Sequence, residues 1–221
     1  MTDLSLSIDG PTASGKTTLA TALARELGLA FLDTGLTYRS LAFALDHEPV
    51  ETLAADLGAL LIHRPEVYAR HGGGEPWQRH VILFRGQDIT DRIFHTSLDR
   101  NLRTVAQNTA CRAAVLALHR SIAEKHGNIV AVGRDVATSL LTDATLHLYL
   151  TAGDSVRVER RRAQYRNMPD RSIKVGPATE RDLENRDAIR AMPNSLEVDS
   201  TYLPADAVLK AALRELGKYT A

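Results

Sequence analysis

The densest chemistry in the chain lies in Gly10-Pro-Thr-Ala-Ser-Gly-Lys-Thr-Thr18, which fits the spacing Gly-x-x-x-x-Gly-Lys-Thr in full. Two glycines let the backbone curl so that successive N–H groups point inward, and the positive end of a following helix adds to them. The result is a cradle for phosphate oxygens built from Gly10, Pro11, Thr12, Ala13, Ser14, Gly15, Lys16, Thr17 and Thr18. Lys16 reaches the outer phosphates, and the Thr17 hydroxyl is a ligand for Mg²⁺. These residues predict a bound nucleoside triphosphate.

Positioning such a loop takes a buried strand before it and a helix after it. Leu4-Ser-Leu-Ser-Ile-Asp9 reads as the strand, and Leu19, Leu23 and Leu27 give the helix its apolar stripe until Gly28 ends it. A second short strand follows at Ala30-Phe-Leu-Asp33, with Thr34 opening another helix, and a third helix is expected over Glu51 to His63. Residues 65 to 92 change character. Val67–Arg70, Val81–Phe84 and Gln87–Thr90 read as three short strands turned by Gly72-Gly-Gly74 and Arg85-Gly86. A long helix from Thr96 to about Lys125 comes next. Ile129–Val132 and Leu146–Leu150 are further apolar strands, and Gly133-Arg-Asp135 falls where a strand hands over to a loop. In open α/β sheets that edge is where ligands bind. Asp154 to Arg166 is a helix crowded with arginine, residues 167 to 178 read as a loop, Thr179 to Ile189 as a helix, Leu196–Asp199 as the last strand, and Pro204 starts a closing helix.

This pattern predicts an α/β fold: a phosphate-loop parallel β-sheet flanked by helices, with a small antiparallel three-stranded insert and an Arg-rich helical lid. The expected organisation is a core over 1–64 and 95–221, a lid over about 154–189, and an insert over 65–94. With 221 residues and 44% apolar content the chain can bury one full core and a small appended lobe. Its net charge of zero argues against nucleic acid or a membrane surface as partner. The single Cys111 forms no internal disulfide, no secretory pattern precedes the first strand, and no run reaches the ~20 apolar residues of a membrane span. The expectation is a cytoplasmic protein, acting as a monomer.

A phosphate loop alone does not name a reaction, and Gly10–Thr17 also resembles the opening of tRNA dimethylallyltransferases, whose further motifs and longer chain are absent here. Ile8-Asp-Gly-Pro11, Leu32-Asp-Thr-Gly-Leu-Thr-Tyr-Arg39, Gly133-Arg-Asp135 and Arg157-x-x-Arg-Arg161 together resemble the bacterial cytidylate kinase family, in order and spacing, over nearly the whole chain. The resemblance implies phosphorylation of CMP or dCMP by ATP with Mg²⁺. It implies an acceptor site including Asp33, Thr34, Tyr38 and Arg39, with Arg39 and Arg134 on the acceptor phosphate and Asp135 and Arg112 at the nucleoside. Arg157 and Arg161 correspond to lid arginines that close over the triphosphate. Lys16, Arg39, Arg134, Arg157 and Arg161 form the implied catalytic set.

The departures cluster at the base and sugar. Arg103 stands where the family carries a cytosine-contacting serine, and Ile93-Phe94 where it carries an arginine. Arg186-Asp187 matches the start of a nucleotide-binding stretch that is shortened here. Two alternatives stay open at this point: a kinase of the same fold with another nucleotide or small phosphorylated acceptor, and a nucleotide-binding protein without catalysis.

Overall fold

The computed structural model describes residues 4–68, 79–166, 175–177 and 179–220. In chain order the elements are β1 (Ser5–Asp9), α1 (Lys16–Leu27), β2 (Ala30–Asp33), α2 (Thr34–Ala44), α3 (Val50–Ala55), α4 (Leu57–Leu60), β3 (Leu61–Arg64) and β4 (Glu66–Val67). The middle of the chain adds β5 (Val81–Phe84), β6 (Gln87–Asp88), α5 (Asp99–Gln107), α6 (Thr109–His126), β7 (Ile129–Val132), α7 (Val136–Ser139) and β8 (Leu146–Thr151). The last part adds α8 (Asp154–Gln164), α9 (Glu180–Arg190), β9 (Ser195–Asp199) and α10 (Ala205–Leu216).

The main sheet has the order β4-β2-β7-β1-β8-β9, parallel except for β4, which pairs antiparallel with β2 at the edge. The strands read as continuous apolar runs because both faces are covered. Val130 and Val132 pack with Leu6, Ile8 and the α1 and α10 residues Leu23 and Val208, while Ile129 and Ala131 pack with Ile122 and Val136 on the other face. β1 lies at the centre, so the phosphate loop leaves the sheet between β7 and β8.

Three sequence expectations are corrected. The helix expected over Glu51–His63 is two short helices, α3 and α4, divided at Asp56 (φ −115°, ψ 20°), followed by a strand. Leu61–Arg64 alternates buried and exposed and pairs antiparallel with β5, so non-local pairing overrides the helical leucine spacing. The small antiparallel sheet is therefore β3-β5-β6, not one begun by Val67. Glu66–Val67 joins the main sheet instead, and Ala69, Arg70 and Gly72-Gly-Gly74 lie outside the described residues, as does most of the loop expected at 167–178. The β5–β6 turn at Arg85-Gly86 does form as expected, with both residues at positive φ (49° and 79°).

The helix expected over Thr96–Lys125 breaks at Asn108, whose backbone is extended (φ −76°, ψ 118°) and whose side chain accepts from the Cys111 N–H at 2.9 Å. Asn108 caps α6, which redirects the chain while leaving Val105, Cys111 and Val115 in one apolar cluster.

Candidate active site

β1 delivers the chain into Gly10, which adopts φ +140°, and a Cβ there would lie 2.1 Å from the Leu150 carbonyl oxygen on β8. Gly15, at φ +102°, caps α1, and Ala13 is left-handed at φ 63°. The loop thus keeps its backbone amides free of a side chain at the two points where the path is tightest. Lys16 folds across the hollow and donates to the carbonyls of Gly10 (2.7 Å) and Pro11 (2.8 Å). Burial pushes its pKa down to about 8, and Arg134 adds to that, while Asp33, Asp9 and Asp182 oppose it.

The loop is clamped from several elements. Arg134, after β7, donates to Thr12 Oγ1 at 3.1 Å, and Arg157 of α8 donates to the Thr12 carbonyl at 3.1 Å. Arg157 is 1% exposed and also donates to Asp154 (2.6 Å) and to the Gly176 carbonyl (3.0 Å). Arg160 donates to Ser200 Oγ (2.9 Å) and to the Ser200 carbonyl (2.6 Å), and Ser200 Oγ in turn lies 2.9 Å from the Ser14 carbonyl. Asp9 is fully buried and accepts from the Val136 (2.7 Å) and Ala137 (2.9 Å) amides, tying the end of β1 to α7. Burial pushes its pKa up to about 6.

Beside the loop, Asp33 caps α2 by accepting from the Gly35 amide at 3.0 Å. Burial raises its pKa against the pull of Lys16 and Arg39, and the Thr17 hydroxyl is also a hydrogen-bond partner. Thr17 and Thr18 are exposed on the first turn of α1. The adjacent Thr17 and Asp33 oxygens are hard donors of the kind Mg²⁺ takes, so the residues fit that ion. Thr34 Oγ1 donates to the Val132 carbonyl (2.8 Å), and Gly133 packs so close to it that a Cβ there would lie 2.6 Å from that hydroxyl oxygen.

Arg39 is half-buried on α2, with its guanidinium 5.8 Å from the Phe94 ring centroid. Burial lowers its pKa; Tyr165 and Arg161 of the α8 region and Asp99 of α5 lie within electrostatic reach. Arg161 donates to the Tyr165 hydroxyl at 2.9 Å, and among the described residues its Nε is buried without a partner, as is the Nε of Arg157. Two cations, Arg39 of α2 and Arg161 of α8, therefore lie within electrostatic reach of one another. That arrangement suits an anion.

Next to the phosphate loop lies a cleft of about 230 Å³ lined by Thr34, Tyr38, Arg112, His119, Asp135 and Ser139 among others. Arg112 of α6 donates to Asp135 at 3.1 Å. Of the expected site residues, Thr34, Tyr38, Arg112 and Asp135 line this cleft, Lys16, Arg134 and Arg157 bond to the phosphate loop, and Asp33, Arg39 and Arg161 lie within electrostatic reach of these groups or of one another. Three expected site residues are placed elsewhere. Arg103 is exposed on α5, Asp187 is exposed on α9, and Arg186 is engaged by Glu197 of β9 through both Nε (3.0 and 3.1 Å) and Nη2.

The α9 residues that do reach the site are Asp182, one turn before Arg186 on the same side of the helix, and Asn185, which immediately precedes Arg186. Asp182 lies 3.7 Å from Arg134, and Asn185 donates to the Arg134 carbonyl at 2.6 Å. Burial opposes ionisation of Asp182, but hydrogen bonds from Thr179 and the charges of Arg134 and Lys16 outweigh it and lower the pKa. Sequence reasoning passed over Asp182, Asn185, Arg160 and Asp9. The Thr179-x-x-Asp182 capping box was a usable signal for the start of α9, and Asp9 stands inside the phosphate-loop segment itself.

Residues 6–217 match the sequence model of the cytidylate kinase family. A cytidylate kinase of Stutzerimonas stutzeri is 32% identical over 96% of this chain and 94% of its own length. One of Herpetosiphon aurantiacus is 34% identical over 92% of this chain and 84% of its own, and one of Pseudomonas savastanoi pv. phaseolicola is 34% identical over 96% and 94%. With likeness running from β1 to the end of α10, this chain belongs to the cytidylate kinase family.

Proposed function

We propose that the protein transfers the terminal phosphoryl group of ATP to CMP or dCMP, giving ADP and CDP or dCDP. The activity is that of a nucleoside monophosphate kinase, as membership of the family carries. The observation that best supports this reading is the double clamp on Thr12, from Arg134 on the acceptor side and Arg157 on the lid side, with Arg39 and Arg161 within electrostatic reach of one another.

Phosphoryl transfer spreads negative charge over the equatorial oxygens, so catalysis is mainly positioning and charge neutralisation. The amides of residues 12–18 hold the donor phosphates, and Lys16 leaves the Gly10 and Pro11 carbonyls to meet the outer ones. Arg39 and Arg134 hold the acceptor phosphate in line with the donor. That phosphate is itself an anionic nucleophile and needs no general base. Thr17 and Asp33 would hold Mg²⁺, which when bound neutralises phosphate charge. The arginines of α8 close over the donor and exclude water, which otherwise competes as acceptor. We assign the β3-β5-β6 sheet to the acceptor side and the α8–α9 segment to the lid, and we infer a monomeric, cytoplasmic enzyme. Among the described residues no helix is long and apolar enough to cross a membrane.

The test is ADP release with ATP, Mg²⁺ and CMP, dCMP, UMP, dUMP or AMP as acceptor. Turnover is expected with CMP and dCMP. Arg39→Ala should lower kcat/KM by roughly a hundredfold or more, the scale of losing a charged transition-state contact. ATP binding with no turnover on any acceptor would overturn the proposal.

A further inference from the structure

Three histidines outside the phosphate-handling set are buried in one continuous hydrogen-bonded line. Thr37 of α2 has its Oγ1 2.8 Å from His63 Nδ1 on β3 and 2.7 Å from His119 Nε2 on α6. His63 Nε2 lies 3.2 Å from His80 Nδ1. The hydroxyl and all three rings are buried. Burial holds every one of these imidazoles below its ordinary pKa, at about 4 for His80 and His119. The rings are neutral at pH 7, and a neutral imidazole carries one N–H and one lone pair. A proton fixed at one end therefore orders the whole line.

The outer end supplies that proton. Among the described residues His80 Nε2 has no partner, so the single ring proton sits on Nδ1, where His63 Nε2 is in reach to accept it. His63 Nε2 then accepts from His80, and His63 Nδ1–H donates to Thr37. The Thr37 hydroxyl donates to His119 Nε2. The His119 proton is left on Nδ1, which makes no hydrogen bond within the described chain.

His119 is 3% exposed and lines the acceptor cleft together with Asp135. We infer that His119 is a specificity-determining residue for the acceptor base, presenting one hydrogen-bond donor, Nδ1–H, beside the carboxylate acceptor of Asp135. This rests on the proposed kinase reaction and deepens it. A donor beside an acceptor complements a base edge that shows an acceptor next to a donor, as the ring nitrogen and exocyclic amino group of cytosine do. Uracil shows the same two groups in reverse order. Arg103, exposed on α5, does not line this cleft, so the base contact comes from α6 instead. Thr37 and His63 are positioning residues that act through His119, and they tie the small β3-β5-β6 sheet to the base pocket.

Two measurements test this. Long-range ¹H–¹⁵N spectra of ¹⁵N-histidine-labelled protein at pH 7 should show His119 as the neutral Nδ1–H tautomer, the minor form of free imidazole, and Thr37→Val should abolish that preference. In steady-state assays His119→Leu should lower the CMP-to-UMP ratio of kcat/KM by roughly tenfold through the acceptor KM, with the ATP KM unchanged. His119→Gln, whose amide both accepts from Thr37 and donates into the cleft, should keep the ratio within about threefold of the parent. An Nε2–H tautomer in the parent, or an unchanged ratio in His119→Leu, overturns the inference. Absence of CMP turnover by the parent protein defeats the proposed reaction instead, so the two failures are distinguishable.

Discussion

Gly10 and Gly86 both sit at positive φ, and the difference between them shows what the phosphate loop demands of a single residue. A Cβ at Gly10 would lie 2.1 Å from the Leu150 carbonyl oxygen at φ +140°, whereas at Gly86 it would meet nothing within 4 Å at φ +79°. Gly86→Ala carries only the left-handed backbone penalty, about 1–2 kcal/mol. Gly10→Ala must also displace β8 or the loop, and the expected loss is about 3 kcal/mol or more. For a domain of this size that is a fall in Tm of roughly 6–12 °C, against about 2–8 °C for Gly86→Ala, measurable by thermal melts of the two variants side by side. Equal losses would show that the close approach of Gly10 to β8 contributes nothing. At the same scale, the arginines of α8 divide by their partners. Arg157 and Arg160 hold the loop through Thr12 and Ser200, while Arg161 donates to the Tyr165 hydroxyl.

Among elements, the histidine line joins α2, β3 and α6, and its burial gives stability a pH dependence. His80 and His119 have folded pKa values of about 4 against about 6.5 when unfolded. Between those values the unfolded chain binds more protons, so their contribution falls as pH drops from 6.5 toward 4, by up to on the order of 3 kcal/mol per ring. Asp9 works in the opposite sense. Its folded pKa of about 6 lies above the unfolded 3.8, so the native state binds the extra proton and gains stability as pH falls through that window. The histidines outnumber it, and a net loss from pH 7 to pH 5 is expected in urea titrations. His80→Phe should shrink that loss. A parent protein equally stable at both pH values would contradict the buried, neutral assignment.

Elements were readable where their signal is local. β2 begins and ends at the expected residues because Ala30–Asp33 is a buried apolar run between a helix-ending glycine and a helix-capping aspartate. β3 was misread because Leu57, Leu60 and Leu61 satisfy a helical spacing, and only β5, some 20 residues later, makes Leu61–Arg64 a strand. Asn108 was misread for a related reason. The apolar positions continue in phase across the break, and a capping hydrogen bond leaves no trace in hydrophobic periodicity.

At the scale of the whole molecule, the site is a gap between bodies on different parts of the chain: the loop after β1, the start of α2, the end of β7, and α8 with α9. If the site takes ATP and CMP as proposed, each ligand stabilises the folded state by mass action. ATP or CMP at a hundred times its dissociation constant should add about 2.7 kcal/mol. The corresponding rise in Tm is about 5–10 °C. Both ligands together should raise Tm further than either alone, since Arg39 and Arg161 are then both engaged. A thermal shift with ATP that CMP leaves unchanged would argue against a two-nucleotide site.

What the sequence alone determined is the donor half. Gly10 to Thr18 is contiguous, its backbone path follows from two glycines and a helix start, and Lys16 and Thr17 need no distant residue to take their roles. Arg39, Arg134 and Asp135 are singled out through a wider resemblance; Arg134 and Asp135 stand at the β7–α7 junction on the sheet edge, and Arg39 lies in the second turn of α2. The base-binding half proposed above rests on tertiary structure alone. Asp182 and Arg186 lie one turn apart on the same side of α9, and their partners separate them: Tyr149 donates to the Asp182 carbonyl at 2.8 Å, while Glu197 of β9 draws Arg186 away. Likewise His119 gains a defined proton only from partners 82 residues away at Thr37 and, through it, at His63. A hydrogen-bonded line between distant segments has no spacing in one dimension, so folding had to bring it together.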